Sequence, residues 1–308
     1  MASDQPVKKV PVVSATVVIA SKVGEPFVDE CLESIKAEVE ALGAEAIVVA
    51  SGSEQNAARI AHKFPWARVI QVPSTYGVPA SRRRGVEEAR GEIIAVIEER
   101  CLASEGWLQR AVDAMSAGNY GAAGGPIADS DFKRLRDWVV YFCEYNDSIP
   151  PVIEGDTYQL NGANAVYRRE LLLDHADLLS DGYWEATLHP ALVAEGVKFL
   201  SVPEMAVRKR GPFSYGYYLR QRYLFSRAFA GARAENMSAL KRAVYLLATP
   251  LVPGLVLFRI GSRLWAKRYR LGRFAMALPL ILPALIVLAV GETVGYLLGP
   301  GDALSKVE

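Results

Sequence analysis

Apolar, β-branched runs recur through the first third of the chain, each followed by a stretch with helical spacing. This alternation constrains the fold more than any other feature. Residues 15–20 (ATVVIA) are bounded by Ser21, Lys22 and Gly24, the pattern of a buried strand. Phe27, Leu32 and Ile35 then recur at helical spacing as far as Leu42. A second run, residues 46–50, stops at Ser51-Gly52-Ser53, and Gln55–His62 reads as a helix before a third run at 67–72. Pro79–Ala89 is a further helix, carrying Arg82, Arg83 and Arg84, and residues 93–97 form the fourth strand. Strands that alternate with helices across short turns predict parallel βαβ units with right-handed crossovers. Ligands in such sheets bind in the crevice beyond the carboxyl ends of the strands. The fourth run ends there in Glu98-Glu99-Arg100.

Charge excludes one class of partner. The chain has 308 residues, with 35 basic against 34 acidic. Its basic stretches carry no recognition motif, so nucleic acid is not expected. Cys31, Cys101 and Cys143 are widely spaced and form no CxxC pair, which argues against a disulfide framework or a zinc site and suits a reducing compartment. Met1–Val10 is polar and lacks the apolar core of a signal peptide. No internal repeat or low-complexity tract is present.

The 51% hydrophobic content is high beside 22% charged residues, and the excess lies near the C-terminus. Residues 243–260 contain no charge before Arg259 and carry Pro250, Pro253 and Gly254. Residues 274–298 contain only Glu292 and are long enough to cross a bilayer. Between them lie Arg259, Arg263, Lys267, Arg268, Arg270 and Arg273 with no acid, and Arg208–Arg242 is also basic. The positive-inside rule would put both basic stretches on one side, which conflicts with a simple span at 243–260. That segment reads as a Pro-broken re-entrant or interfacial hairpin, followed by a span at 274–298. Two ordinary spans are the alternative, and a buried helix of a soluble core is the third.

Several residues could carry chemistry. Glu98 and Glu99 can hold Mg²⁺ or Mn²⁺, which take oxygen ligands and bridge substrate phosphates; a solvated strand end paired with Arg100 is the plain alternative. In YQLNGANAVYRRELL (158–172), Asn161 and Asn164 offer hydrogen bonds to a ligand, although turn chemistry alone also favours Asn-Gly. In DGYWEATLHPALVAEGVKF (181–199), Glu185 is a candidate base, Trp184 a stacking surface or a core residue, and His189 lies one helical turn after Glu185.

VVIAS at 17–21, EAIVVASGS at 45–53 and VPASRRRGVEEARGEIIAVIEERCLASEGWL at 78–108 together resemble the nucleotide-sugar half of a family 2, GT-A-fold glycosyltransferase. The resemblance covers about residues 15–235. It implies a mixed, mainly parallel α/β sheet of GT-A (Rossmann-like) type, to which the apolar C-terminal stretches add a helical membrane-associated segment. The expected organisation is a tail at 1–14, a catalytic domain at 15–235 and a membrane hairpin with its tail at 236–308.

By the resemblance, Glu98 and Glu99 hold a divalent cation and the donor diphosphate, and Arg82, Arg84 and Arg100 the phosphates. Glu25, Ser51 and Ser53 lie on the nucleoside side, where Ala50 stands in place of the family's usual aspartate. Asn161, Asn164 and His189 fall on the donor, Trp184 and Glu144 on the acceptor, and Glu185 is the general base. Arg220, Gln221 and Arg222, in YYLRQRYLFSRAFAGAR (217–233), match a segment that closes over the diphosphate in membrane-bound relatives; a basic helix on anionic lipid is the bland alternative. The reaction implied is inverting transfer from a nucleotide-diphosphate-sugar to a lipid-linked or membrane-near acceptor in glycan or polysaccharide synthesis, with the catalytic domain on the cytoplasmic face of a bacterial plasma membrane. A scaffold of the same fold without turnover, and a nucleotidyltransferase, are the alternatives.

Overall fold

The computed structural model describes residues 14–180, 184–235, 237–303 and 306. The expected tail thus lies outside the described residues except for Ser14, as do Asp181, Gly182 and Tyr183. In chain order the first elements are β1 (Ala15–Ser21), α1 (Phe27–Leu42), β2 (Glu45–Ser51), α2 (Glu54–Lys63), β3 (Arg68–Val72), α3 (Val78–Glu88) and β4 (Ile93–Ile97). Then come β5 (Cys101–Ala103), α4 (Trp107–Ser116), β6 (Tyr120–Gly124), β7 (Ile127–Ala128), α5 (Leu135–Tyr145), β8 (Gly155–Thr157) and β9 (Asn164–Arg168). The last are α6 (Arg169–Asp174), α7 (Leu188–Ala194), β10 (Lys198–Ser201), β11 (Val207–Lys209), α8 (Tyr215–Glu235), α9 (Ala239–Ala248), α10 (Val252–Lys267) and α11 (Leu271–Leu298).

The chain divides into two compact units: residues 1–126 with 152–207, and residues 127–151 with 208–308. The first holds an eight-stranded sheet in the order β3-β2-β1-β4-β9-β6-β10-β8. β1 to β4 are mutually parallel, as the alternation predicts. β9 runs antiparallel to both neighbours, β4 and β6. β1 is buried along its whole length because it lies between β2 and β4 with both faces covered. One face packs Val18, Val49, Ile94 and Val96 with Tyr167, Trp184 and Phe199 into a single core.

The second unit is helical. α8 and α11 run parallel, for Tyr215 Oη donates to the Leu280 carbonyl at 2.5 Å and Arg233 Nη1 to Tyr296 Oη at 2.8 Å. α9 runs the other way along α11, with Thr249 Oγ1 accepting from Thr293 Oγ1 at 3.0 Å. The expected Pro-induced break within 243–260 does not form. Pro250 lies in the first turn of a 3₁₀ segment, Thr249–Leu251, and Pro253 in the first turn of α10. A first-turn proline lacks an N–H that would have no helical partner anyway, so the helix continues. The reversal comes instead at Arg268–Arg270, where Arg268 and Arg270 both adopt left-handed conformations. The two flanking stretches, Ala239–Lys267 and Leu271–Leu298, are each long and apolar enough to cross a membrane. The boundary expected at 235/236 falls inside this second unit.

Candidate active site

Strand polarity builds the crevice of the first unit. β1, β2 and β4 end at Ser21, Ser51 and Ile97. Because β9 is antiparallel, its first residue, Asn164, pairs with Ile97, the last of β4. The Glu98 N–H donates to the Ala163 carbonyl at 3.1 Å. The acids after β4 and the Asn161–Asn164 turn before β9 therefore share one rim.

Glu99 is buried, and its carboxylate is occupied. Oε2 accepts from Ser21 Oγ at 2.8 Å and the Gly24 N–H at 3.0 Å; Oε1 accepts from the N–H groups of Lys22 at 3.1 Å and Val23 at 2.8 Å. A carboxylate offers about four lone-pair directions, and four donors fill them. Glu99 thus clamps the loop after β1, where Gly24 adopts φ +77°, a left-handed conformation that favours glycine. This arrangement fits a loop anchor better than a metal ligand. Among the described residues, no group of three or more His, Cys, Asp or Glu side chains could hold a metal ion. The acidic donor set at this strand end reduces to Glu98, which is half-buried. Arg100 places its guanidinium 3.7 Å from the centre of the Phe27 ring, at the start of α1 beside the clamped loop.

A second cluster surrounds Gly162. Its N–H donates to Glu185 Oε1 at 2.6 Å. A Cβ at Gly162 would meet Arg82 Nη1 at 2.8 Å and Glu185 Oε1 at 3.1 Å. The buried Arg82 of α3 and the exposed Glu185 therefore converge on one point of main chain, next to the Ala163 carbonyl that binds Glu98. Gly162 was not singled out from the sequence; its place between Asn161 and Ala163 in the quoted motif was the available signal. Behind the cluster, Tyr167 Oη bonds His189 Nε2 at 2.8 Å, and Trp184 meets Tyr167 edge-on at 5.4 Å. Burial lowers the pKa of His189 and raises that of Tyr167, so both stay neutral near pH 7.

Other expected residues are committed elsewhere. Asn164 is fully buried: Oδ1 accepts from Trp107 Nε1 at 2.8 Å, and Nδ2 donates to the carbonyls of Pro126 at 3.2 Å and Met205 at 2.7 Å. It braces the core and offers nothing to a donor sugar. Asn161 closes an Asx turn, its Oδ1 accepting the Ala163 N–H at 3.0 Å. Trp184 is fully buried with Nε1 donating to the Leu179 carbonyl at 3.0 Å, so it is a core residue with no face for an acceptor. His189 is likewise buried, which removes it from contact with phosphate. Ser51 Oγ donates to the carbonyls of Pro73 at 3.2 Å and Tyr76 at 2.9 Å, fixing the loop before α3. Arg84 is engaged by Glu87 and Glu88 on its own helix. Glu25 and Ser53 are exposed near α2, with Glu25 3.9 Å from Arg59.

Glu144, Arg220, Gln221 and Arg222 belong to the second unit. There Glu144 accepts from Tyr218 Oη at 2.7 Å and pairs with Arg222 at 3.2 Å, and Gln221 Nε2 donates to the Lys306 carbonyl at 3.2 Å. Arg220 is exposed on α8.

Residues 16–175 match the family described as "Glycosyl transferase family 2". No curated protein matches the chain. Among solved structures it is similar to GalNAc-T7 crystallised with UDP, GalNAc and Mn²⁺, at 16% identity and TM-score 0.51, over 65% of this chain and 44% of that one. This chain thus spans less than half the length of that structure. It is also similar to S. aureus TarS 1–349, at 14% identity and TM-score 0.51, over 91% of this chain and 90% of that one. The family match covers more than half of the chain. The chain belongs to glycosyl transferase family 2, and its fold is of GT-A type.

Proposed function

We propose that this chain moves a sugar, with inversion, from a nucleotide-diphosphate-sugar to a lipid-linked or membrane-near acceptor in glycan or polysaccharide synthesis. The convergence of Glu185, Arg82 and the Gly162 N–H beside the strand-end acids carries this proposal. Glu185 takes the proton from the acceptor hydroxyl as that oxygen attacks the anomeric carbon and the nucleoside diphosphate leaves. The Gly162 N–H fixes Oε1 and so orients the carboxylate. Arg82 and Arg100 supply positive charge to the departing diphosphate. Glu98 is the carboxylate that would hold a divalent cation, which would supply further positive charge against the diphosphate. The clamped loop at Ser21–Gly24 presents its backbone on the nucleoside side, with Glu25 and Ser53 beside it. Two long apolar helices support a membrane location, with the sheet domain on the cytoplasmic face of a bacterial plasma membrane.

Ala50 and the commitment of Ser51 to a loop favour the second alternative, a scaffold without turnover. Release of nucleoside diphosphate separates the two. UDP-sugars are the first donors to test, since UDP is bound in the GalNAc-T7 structure. Wild type is expected to release UDP or another nucleoside diphosphate with one donor of a panel, with or without Mn²⁺. Glu185→Gln is expected to lower kcat by about 10²–10⁴-fold, the usual share of a general base. No release with any donor would favour the scaffold, and pyrophosphate in place of the diphosphate would indicate a nucleotidyltransferase.

A further inference from the structure

The helical hairpin carries a conflict that its packing resolves. Basic residues flank its first arm on both sides, and the positive-inside rule tolerates such a pattern only if that arm does not cross. α11 is not a lone span. A Cβ at Gly291 would lie 2.6 Å from the Tyr223 carbonyl oxygen, and one at Gly295 would lie 2.5 Å from that of Arg227. α8 and α11 therefore touch backbone to backbone at Gly291 and Gly295, leaving no room for lipid between them there. α8 brings Arg222 and Arg227 to mid-helix, with Glu144 paired to Arg222. At its other end α11 meets α5 through Phe142 and Phe274. The turn itself is tied down: Arg270 bonds Asp129 and Asp131, Tyr269 bonds Asp129, and Arg263 pairs with Asp147. A bilayer crossing by α11 would carry these ion pairs and arginines into hydrocarbon, where such groups are strongly disfavoured.

The opposite side of the hairpin is apolar and uncovered. Leu247, Leu251, Leu255 and Phe258 recur at helical spacing from α9 through the 3₁₀ segment into α10 and are all exposed, as are Leu282 and Ile286 on α11. Phe258 is 75% exposed and Leu247 80%. Between Ala239 and Gly291 there is no acid, while Lys241, Arg242, Arg259, Lys267, Arg268 and Arg273 are all basic. A second copy on this face would bring like charges together. Anionic headgroups complement them, and Trp265, exposed near the turn, suits the headgroup layer.

Resting on the membrane location proposed above, we infer that the hairpin is monotopic: α9–α11 lie in one leaflet, with the Leu247–Phe258 stripe facing acyl chains and both ends of both arms on the same side. The hairpin turn never reaches the far surface. Burial, and a Cys143 thiol pushed up to about 12, keep the native cysteines quiet, so variants with one added cysteine report cleanly. Gly272→Cys, at an open position beside the turn, and Ala58→Cys, exposed on α2, are expressed in full-length protein in a bacterial host. Both are treated with a membrane-impermeant maleimide. Both are expected to escape labelling in intact spheroplasts and to label after lysis. Labelling of Gly272→Cys alone in intact spheroplasts means a spanning hairpin and overturns the inference while leaving the membrane location standing. Recovery of the chain in the soluble fraction overturns both, and a soluble dimer would assign the stripe to a second copy. As a second readout, purified protein is expected to float with phosphatidylglycerol vesicles, and Leu247→Glu with Phe258→Glu is expected to lose that flotation; retention of flotation by the double variant also overturns the stripe's assignment.

Discussion

Substituting Glu99 by Gln tests whether this residue holds a loop or a metal. Its two oxygens accept four hydrogen bonds, three of them from main-chain N–H groups of Lys22, Val23 and Gly24. Gln keeps one oxygen and turns the other into an NH₂ group. If the amide nitrogen replaces Oε2, Ser21 can rotate its hydroxyl to accept, but the buried Gly24 N–H loses its acceptor and faces another donor. If it replaces Oε1, the N–H groups of Lys22 and Val23 are both left unmatched. The first option is cheaper, and it costs one orphaned buried donor plus the charge assistance on the remaining bonds, about 2–4 kcal/mol. For a chain of this size the thermal midpoint should fall by on the order of 5–10 °C. Thermal unfolding of Glu99→Gln is measured in EDTA and again with Mn²⁺, and the same loss is expected in both. An unchanged or raised midpoint in EDTA, together with loss of stabilisation by Mn²⁺, would refute the loop anchor and restore Glu99 as a metal ligand.

Further expectations concern the second cluster and the helical unit. Gly162→Ala pushes the far ends of Arg82 and Glu185 away by a few tenths of an ångström, so kcat/KM should fall by about 10–100-fold with little change in thermal midpoint; full activity would show that neither side chain needs its present position. His189 has a lowered pKa because of burial, so its contribution to stability is present above its unfolded value of about 6.5 and is lost as pH falls below it. His189→Gln should therefore flatten the loss of stability between about pH 7 and 5, and an unaltered pH slope would sink that assignment. His175, raised by its bond to Glu195, acts oppositely, so only the difference between variant and parent is diagnostic. Gly295→Ala drives a methyl into main-chain atoms of α8 and should cost about 1–3 kcal/mol, while Gly272→Ala, with open space around it, should be neutral or stabilising by about 0.5–1 kcal/mol; urea unfolding of both checks the contrast.

The parallel half of the sheet was legible because its strands are buried on both faces and so read as unbroken apolar runs between turn residues. β5, β7 and β8 span only two or three residues each, too few to carry a period. The acids after β4 were in the expected place, but their division of labour was not visible. The donors that occupy Glu99 lie 75–78 positions earlier in the chain, and nothing local to Val96–Cys101 announces them. Trp184 and His189 show the same limit: next to a catalytic-looking acid they suggested ligand contact, whereas tertiary packing spends both on the core. In the C-terminal region, composition identified the apolar helices, but the prolines misled because their first-turn placement depends on where each helix starts. Gly291-xxx-Gly295 was the overlooked signal, a small-residue pair four apart that permits close helix contact.

The reversed direction of β9 has an evolutionary consequence. Since its entrance abuts the exit of β4, the segment ahead of the Asn161–Asn164 turn, residues 152–160, can be lengthened, shortened or exchanged without disturbing the registers of β1 to β4. Variation in that segment alters what approaches the rim while the strands beneath keep their pairing. Diversification of acceptor preference among descendants of such a chain would then concentrate upstream of Asn161, leaving the apolar strands under slower, packing-driven constraint.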